Sequence, residues 1–207
     1  MKAKLVGVIS ANYGNISSVI NALRFLKTNH EVIDKPIKLD RYTHLILPGV
    51  GSFSKAANNL KKKGWFEAIK KFTKHKPLLG ICLGMQLLFT KSSEDKITNG
   101  LNLLSGDCKK FESGSKKTLT PHMGFNIVHY DQKTKIWNGI PNNTPFYFVH
   151  SYRIKKIQKN VNFSYTKHIE KFISYVEKNK IIGVQFHPEK SHKFGLRFIK
   201  NFLSEYK

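Results

Sequence analysis

The sequence predicts an α/β fold, an open and mostly parallel sheet with helices on both sides and added antiparallel strands. Short continuous apolar runs, typical of strands buried on both faces, occur at Lys4–Ser10, His44–Leu47 and Leu78–Ile81. Segments with helical spacing separate these runs, and strands that alternate with helices favour parallel pairing through right-handed crossovers. The length of 207 residues fits one domain with a substantial core, predicted over residues 1–207.

Four segments have the spacing of amphipathic helices. Asn15–Lys27 carries apolar residues at a helical period, and Asn58–His75 is predicted as a helix with a break near Gly64. Leu83–Phe89 follows the third buried strand without a linker, and Phe194–Tyr206 is a closing amphipathic helix. We therefore expect helices between and after the strands of the parallel sheet.

The middle of the chain has a different pattern. Strand-like segments separated by turn residues occur at Asn126–Tyr130, Phe146–His150, Val161–Tyr165 and Phe172–Glu177. They predict hairpins that add antiparallel strands to the sheet, before a last buried strand at Ile181–Phe186.

The chain is strongly basic, with a net charge of +23 and 36 lysine and arginine residues against 13 acidic ones. Nearly all of the basic residues are lysines spread over the chain, whereas recognition of phosphates and bases relies heavily on arginine. A nucleic-acid-binding protein is therefore disfavoured, and no nucleic-acid partner is predicted. Compositional drift towards lysine and docking to an acidic partner both explain the charge.

The composition also indicates in which cellular compartment the protein is located. Hydrophobic residues make up 40% of the chain, which argues against disorder, and no apolar stretch reaches the roughly 20 residues of a membrane span. The N-terminal apolar run lacks the length and cleavage site of a signal peptide, so the sequence predicts a cytoplasmic protein without a membrane partner. Cys82 and Cys108 are then reduced thiols, too few for a structural zinc site.

The segment Gly80–Gly84, Gly-Ile-Cys-Leu-Gly, has the pattern of a nucleophile elbow between a buried strand and a helix. Its glycines allow a sharp turn that holds Cys82 clear of the sheet, and the N-terminus of the following helix favours the thiolate. The backbone N–H of Leu83 is then a natural oxyanion donor. Taken alone, the segment is also consistent with a buried core cysteine with incidental glycines, although the elbow is favoured.

His187 and Glu189 are candidates for the base and the orienting carboxylate that a cysteine nucleophile needs. They are two residues apart, so in an extended chain both side chains point to the same side, and Pro188 favours that conformation for His187. A surface histidine in a turn is the alternative interpretation of this motif alone. Its position after a buried strand, like that of Cys82, favours the catalytic one.

A third segment, Leu47–Ser52, ends another buried strand and contains Gly49, Val50 and Gly51. Ligand sites in open α/β sheets gather at the carboxyl ends of the strands. Two glycines at that edge can expose backbone N–H groups to an oxyanion, although a plain strand-to-helix turn would have the same composition.

Six segments, spread over nearly the whole chain, carry a resemblance to a known family. They are NYGN (Asn12–Asn15), LPGVGSF (Leu47–Phe53), GICLGMQLLF (Gly80–Phe89), PHMGFN (Pro121–Asn126), FYFVHSY (Phe146–Tyr152) and GVQFHPEKS (Gly183–Ser191). Together they resemble the class I, triad-type glutamine amidotransferases. Within that family they are most similar to the amidotransferase subunits of imidazole glycerol phosphate synthase, which act in histidine biosynthesis.

The resemblance implies the fold and the chemistry of that family. It implies an open α/β sheet with helices on both sides, and a catalytic triad of Cys82, His187 and Glu189. It also implies an oxyanion site formed by the N–H of Leu83 and the backbone of Gly49, Val50 and Gly51.

The resemblance further implies a substrate and a partner. Gln86, His150 and Ser151 would hold L-glutamine, and no metal or organic cofactor would be needed. The ammonia released would pass to a cyclase subunit of (β/α)₈-barrel type, which forms a heterodimer with the amidotransferase and uses ammonia in imidazole glycerol phosphate synthesis.

Two residues depart from the subfamily pattern. Asn12 stands where an aspartate is expected before Tyr-Gly, and Phe125 stands where a tryptophan is usual after PHMG. Neither belongs to the implied triad, so the departures concern the partner and leave the glutaminase chemistry unaffected. A paralogous subunit that supplies ammonia to a different synthase, in surface-sugar modification, is the alternative.

A cysteine hydrolase or peptidase of similar architecture is the alternative from another enzyme class. Such an enzyme would need neither Gln86 nor the PGVG segment at the end of a strand. Turnover of glutamine would separate the two classes.

Overall fold

Five parallel strands form the centre of the sheet. The structure, a computed structural model, describes residues 4–10, 16–112, 120–130 and 134–206. In spatial order the parallel strands are β2 (His30–Ile33), β1 (Val6–Ile9), β3 (His44–Gly49), β4 (Leu78–Cys82) and β13 (Ile181–Val184). The carboxyl ends of β3, β4 and β13 therefore meet at one edge of the sheet.

Antiparallel strands extend the sheet beyond β13, as the middle of the sequence predicts. β12 (Lys171–Lys178) pairs with β13, and the path continues through β10 (Tyr152–Ile154), β7 (Asp107–Lys110), β5 (Lys91–Ser92) and β6 (Thr98–Asn99). A second branch leaves β12 through β11 (Asn162–Lys167), β8 (His122–Tyr130) and β9 (Thr144–His150).

Helices cover both faces of the sheet, which confirms the predicted fold class. α1 (Ser17–Phe25) and α5 (His192–Glu205) contribute to one core cluster, and α2 (Phe53–Lys62), α3 (Trp65–Thr73) and α4 (Leu83–Leu87) contribute to the other. Leu79 and Ile81 of β4 belong to the first cluster and Leu78 to the second, because successive side chains of a strand point to opposite faces. With both faces buried, β4 is a continuous apolar run.

Among the differences from the prediction, two concern strand β2 and helix α2. Strand β2 is not predicted, because its sequence His-Glu-Val-Ile is half polar and only partly buried at the edge of the sheet. Helix α2 begins at Phe53 rather than at Asn58, since its buried face starts at Phe53 itself. The predicted break near Gly64 is confirmed, because Gly64 has a φ of 79° between α2 and α3.

No helix in the described ranges has both the length and the apolar composition that crossing a bilayer requires.

Helix α4 packs directly on the backbone of β3. A Cβ added to Gly84 would lie 1.8 Å from the carbonyl oxygen of Leu47, so no side chain fits at this position. The close approach brings the start of α4 against the end of β3, at the edge where the parallel strands end.

Replacing Gly84 by alanine should therefore destabilise the fold strongly. We expect Gly84→Ala to lower the free energy of unfolding by about 3 kcal/mol or more, because backbone must move to admit the methyl group. Gly64→Ala is the matched control, since its Cβ would be 3.8 Å from the nearest atom and only the left-handed φ opposes it, at roughly 1–2 kcal/mol. Urea unfolding measures both, and equal losses would contradict the packing argument.

Candidate active site

Cys82 lies at the junction of β4 and α4 in a strained backbone conformation. Its φ of 53° and ψ of −110° lie outside the regions that residues other than glycine ordinarily occupy. Such strain costs on the order of 1–3 kcal/mol and persists only where the surrounding structure holds it. The strand ends at the thiol-bearing residue and the helix begins at the next one, as the predicted elbow requires.

The Gly49–Gly51 segment lies beside this turn. Gly49 is paired with Cys82 in the register of β3 and β4, and a Cβ on Gly49 would be 3.0 Å from the Cβ of Leu83. Gly51 has a φ of 98° with open space around it, and Val50 is exposed. The structure thus brings the backbone of this segment next to Leu83, with which it is predicted to form the oxyanion site.

A cavity of about 420 Å³ is bounded in part by Cys82. Its lining includes most of the predicted oxyanion and substrate-holding residues and three further ones: Val50, Gly51, Leu83, Gln86, His150 and Ser151, with Glu94, Val149 and Tyr152. Cys82 and these predicted groups therefore meet at one cavity.

His187 follows β13, and Nδ1 of its ring is 2.7 Å from Oε1 of Glu189. His187 itself is extended, but Pro188–Lys190 forms a short 3₁₀ turn, so the carboxylate reaches the ring through a turn and not along an extended chain as predicted. The backbone N–H of His187 donates to the carbonyl of Tyr147 at 2.8 Å, and the hydroxyl of Ser191 donates to the carbonyl of His187 at 2.6 Å. These contacts fix the histidine and its carboxylate as one unit.

The charges around His187 favour its protonated form. Burial lowers the pKa of His187, but its interactions with Cys82 and Glu189 outweigh burial and raise the pKa to about 10. The imidazole therefore keeps its proton at neutral pH. Nε2 of His187 is buried and makes no hydrogen bond of ordinary geometry within the described residues, which leaves this N–H available for proton transfer.

The second cysteine has a different environment. Cys108 is a free thiol in the core, and burial raises its pKa far above the usual range, so it stays protonated and inert.

Across the part of the chain that the structure describes, no group of three or more His, Cys, Asp or Glu side chains is placed to hold a metal ion. The predicted similarity at Asn12–Asn15 lies outside the described residues.

Glu94 lines the cavity, although no motif in the sequence indicates a functional role for it. Its carboxylate accepts a hydrogen bond from the backbone N–H of Phe53 at 2.6 Å, and burial is the main cause that raises its pKa. In the sequence Glu94 belongs to a short charged segment after β5, which looks like a solvated loop. Only the fold shows that this carboxylate faces a cavity.

Two buried histidines, His122 and His150, form a hydrogen-bonded row that ends near the cavity. Nδ1 of His150 is 2.8 Å from the carbonyl oxygen of Tyr152, and because a carbonyl only accepts, this nitrogen carries the proton. Nδ1 of His122 then donates to Nε2 of His150 at 3.0 Å. Nδ2 of Asn126 donates in turn to Nε2 of His122 at 3.0 Å.

The contacts of Asn126, at the other end of the row, independently require the same donor-to-acceptor direction of these hydrogen bonds. Nδ2 of Asn126 also donates to the carbonyl of Lys167, and Oδ1 of Asn126 accepts from the N–H of Ile127, so the orientation of the amide is fixed. Burial is the main cause that lowers the pKa of His122 to about 4 and that of His150 to about 3, which keeps both rings neutral. Both ring nitrogens of His150 are thus occupied, and its ring forms a fixed part of the cavity wall.

Gln86 is buried beside the same carbonyl. Its Nε2 donates to the Tyr152 carbonyl at 3.1 Å and to Oε1 of Gln185 at 3.0 Å. Both protons of the amide nitrogen therefore have protein acceptors. Oε1 of Gln86 is the end of this amide that remains for a ligand.

The fold, the elbow cysteine and the histidine–carboxylate pair are those expected of a cysteine-dependent amidotransferase. The family model described as "Glutamine amidotransferase class-I" matches residues 9–206, and the chain belongs to this family. The imidazole glycerol phosphate synthase subunit HisH of Moorella thermoacetica is 42% identical over 198 residues, which cover 95% of this chain and 93% of the relative. The HisH subunit of Pelagibacter ubique is 39% identical over 205 residues, covering 96% and 99%.

Solved structures share the fold at lower sequence identity. A chain of PurLQS from Thermotoga maritima superposes with a TM-score of 0.75 at 20% identity, covering 98% of this chain and 99% of that one. A putative GMP synthase protein from Thermoplasma acidophilum gives a TM-score of 0.74 at 19% identity, covering 98% and 94%. At these identities the similarity establishes the architecture alone.

The geometry of the pair predicts unequal losses when its two members are changed. A general acid–base group contributes roughly 10²–10⁴-fold, so His187→Ala should lower kcat for glutamine hydrolysis by at least 10²-fold. Glu189→Gln should lower kcat less, because an amide oxygen can still accept from Nδ1. Steady-state kinetics with the partner synthase present would compare the two variants, and an equal or reversed order would contradict these roles.

Proposed function

We propose that this protein hydrolyses L-glutamine to glutamate and ammonia, and that the ammonia serves imidazole glycerol phosphate synthesis in histidine biosynthesis. The observation that supports this most strongly is the arrangement at the sheet edge. A cysteine in a strained elbow borders a cavity of about 420 Å³, and the buried His187 of the His187–Glu189 pair interacts electrostatically with this cysteine. Relatives that are similar over their full length are subunits of this synthase.

The reaction begins with the proton already on His187. The Cys82 thiolate attacks the side-chain amide carbon of glutamine, and the negative oxygen that develops is stabilised by the N–H of Leu83 and by backbone N–H groups of Gly49–Gly51. His187 gives its proton to the departing nitrogen, which leaves as ammonia, and a thioester with Cys82 remains. His187 then takes a proton from water as the water attacks the thioester, and glutamate is released.

Glu94 supplies the charge that an amino-acid substrate needs. The α-ammonium group distinguishes glutamine from a simple amide, and Glu94 is the one acidic side chain among the residues that line the cavity. The hydrogen bond from the N–H of Phe53 holds the carboxylate in place, and Glu94 forms no ion pair with the described residues. We therefore assign Glu94 to recognition of the α-ammonium group.

Glu94→Gln should raise KM for glutamine by about tenfold to a hundredfold, the range expected for a charge-assisted hydrogen bond, with a smaller effect on kcat. Asp95→Asn is the matched control, since Asp95 is adjacent but bonds to Ser52 and Ser54 and does not line the cavity. Glutaminase kinetics would measure both. An unchanged KM for Glu94→Gln would exclude the assignment.

The function itself is tested by separating ammonia production from ammonia use. With the partner synthase present, Cys82→Ala should abolish glutamine-dependent synthesis of imidazole glycerol phosphate and leave synthesis from added ammonium salts intact. Cys108→Ser is the control and should leave both rates near wild type, because Cys108 is a buried core residue. Glutamine-dependent synthesis by Cys82→Ala would refute the proposal.

We further propose that a (β/α)₈-barrel cyclase subunit covers the exposed face of β8 to form a heterodimer. Met123, Phe125 and Ile127 alternate along β8 and are all exposed, so they form one apolar face. This face begins beside His122, which is paired with His150 of the cavity wall. A partner bound here would lie close to the point where ammonia is released.

Charge near this face would assist docking. Lys190 lies over the ring of Tyr147, which contacts the ring of Phe125. Lys155, which the sequence also places near the functional segments, is instead paired with Glu112 and Glu170. Lys190 is therefore the better candidate for contact with an acidic surface.

Lys190→Gln should slow association with the cyclase and make the rate less sensitive to salt, because exposed charges act mainly on association and are screened over about 8 Å. Lys155→Gln is the control and should change the rate less. Stopped-flow association at low and high salt would measure both variants. If the two behave alike, the lysines reflect composition and do not contribute to docking.

The reaction requires a reduced Cys82, so we place the protein in the cytoplasm. Supply of ammonia to a different synthase, in surface-sugar modification, is the alternative, and purification from the native host would decide which synthase accompanies this chain.

A further inference from the structure

Gln185 is a buried polar residue of the GVQFHPE segment that the proposed mechanism does not use. It is fully buried, and its Nε2 is 3.5 Å from Sγ of Cys82. The two residues are 103 positions apart in the chain, and strand β13, which Gln185 follows, pairs with β4, which ends at Cys82. The pairing of these two strands thus brings a side-chain amide against the sulfur.

The orientation of this amide is determined by its neighbours. The carbonyl of Tyr152 can only accept, so it selects the nitrogen end of the Gln86 amide. The second proton of that nitrogen is donated to Oε1 of Gln185. Gln185 must therefore present its N–H group to the sulfur, because its oxygen is already engaged by Gln86.

We propose that Gln185 is a further catalytic residue, whose side-chain N–H donates a hydrogen bond to the Cys82 thiolate and stabilises it for attack. The proton stays on the amide nitrogen throughout. Gln86 and the carbonyl of Tyr152 act as positioning groups, since they hold the amide with its nitrogen towards the sulfur. The kinetic part of this inference rests on the proposed glutaminase function, whereas the effect on the thiol does not.

A hydrogen bond to a charged group in a buried site is strong enough to matter here. Loss of such a bond corresponds to roughly a 10- to 100-fold change in an equilibrium. An amide N–H favours the thiolate over the thiol, because the thiol sulfur is only a weak acceptor. Removing the donor should therefore raise the pH at which Cys82 ionises and lower the fraction of reactive thiolate at neutral pH.

The sharpest test is Gln185→Glu. A carboxylate has the same shape and still accepts from Gln86, but it places an oxygen in front of the sulfur in place of the N–H. Gln185→Met is the second variant, since it removes the donor without adding charge. Each would be made in the full chain, and far-UV circular dichroism and the melting temperature would establish that the variants fold.

Two measurements distinguish an effect on the ionisation of the Cys82 thiol from an effect on glutamine turnover. The first is the rate of Cys82 alkylation by iodoacetamide as a function of pH, with the labelled site identified by mass spectrometry. We expect the midpoint of this profile to rise by about one pH unit or more in both variants, and further in Gln185→Glu. The second is glutaminase kinetics with the partner, where kcat should fall roughly 10- to 100-fold with little change in KM.

A matched substitution controls for the change of an amide to a carboxylate. Gln158 accepts from the N–H of Ser105 and does not line the cavity, so Gln158→Glu should leave both profiles as in wild type. An unchanged alkylation midpoint in folded Gln185→Glu and Gln185→Met would overturn the inference. Absence of glutamine turnover in the wild-type complex would instead refute the proposed function, and the alkylation result would still decide the role of Gln185.

Discussion

The contact between α4 and the end of β3 is the constraint on which the active site depends. Gly84 lies against the carbonyl of Leu47 with no room for a side chain, so the first turn of α4 is held directly on the sheet. That contact stabilises the positive φ of Cys82 at the preceding turn and aligns Gly49 beside Leu83. Cys82 and the Gly49–Gly51 segment are thus positioned by backbone packing, which side-chain mobility affects little.

The orientations of the polar side chains around the cavity are fixed by backbone carbonyl groups, which accept hydrogen bonds and cannot donate them. A glutamine amide or a neutral histidine can be reversed, but a backbone carbonyl only accepts. The carbonyl of Tyr152 therefore orients His150 on one side and Gln86 on the other. A reversed group in such a buried network would leave a polar atom unpaired, which costs about 1–3 kcal/mol, so one arrangement is favoured over the rest.

The sequence predicts the parts of the fold that carry a strong local pattern. β3, β4 and β13 are buried on both faces and read as apolar runs, and the elbow at Cys82 follows from its glycines. The edge strand β2 and the short strands β5, β6, β7 and β10 escape prediction, because two to four residues show no periodicity.

Contacts between segments that are distant in the chain also cannot be predicted from sequence patterns alone. Glu94 of the cavity lining contacts Phe53, 41 positions away, and the two histidines of the row are 28 positions apart. Local backbone conformation can also differ from the prediction. A 3₁₀ turn replaces the expected extended chain at Glu189, although the pairing of its carboxylate with His187 is as predicted. Pattern indicates which residues have suitable chemistry, and topology decides which of them meet.

The row of hydrogen bonds from Asn126 through His122 and His150 to Tyr152 has a consequence for proton traffic. A proton wire needs a group that releases a proton at one end and a group that takes it at the other. Here the row starts at a side-chain amide and ends at a backbone carbonyl, neither of which does so near neutral pH. The row therefore fixes the orientation of its side chains and does not relay protons between strand β8 and the cavity wall.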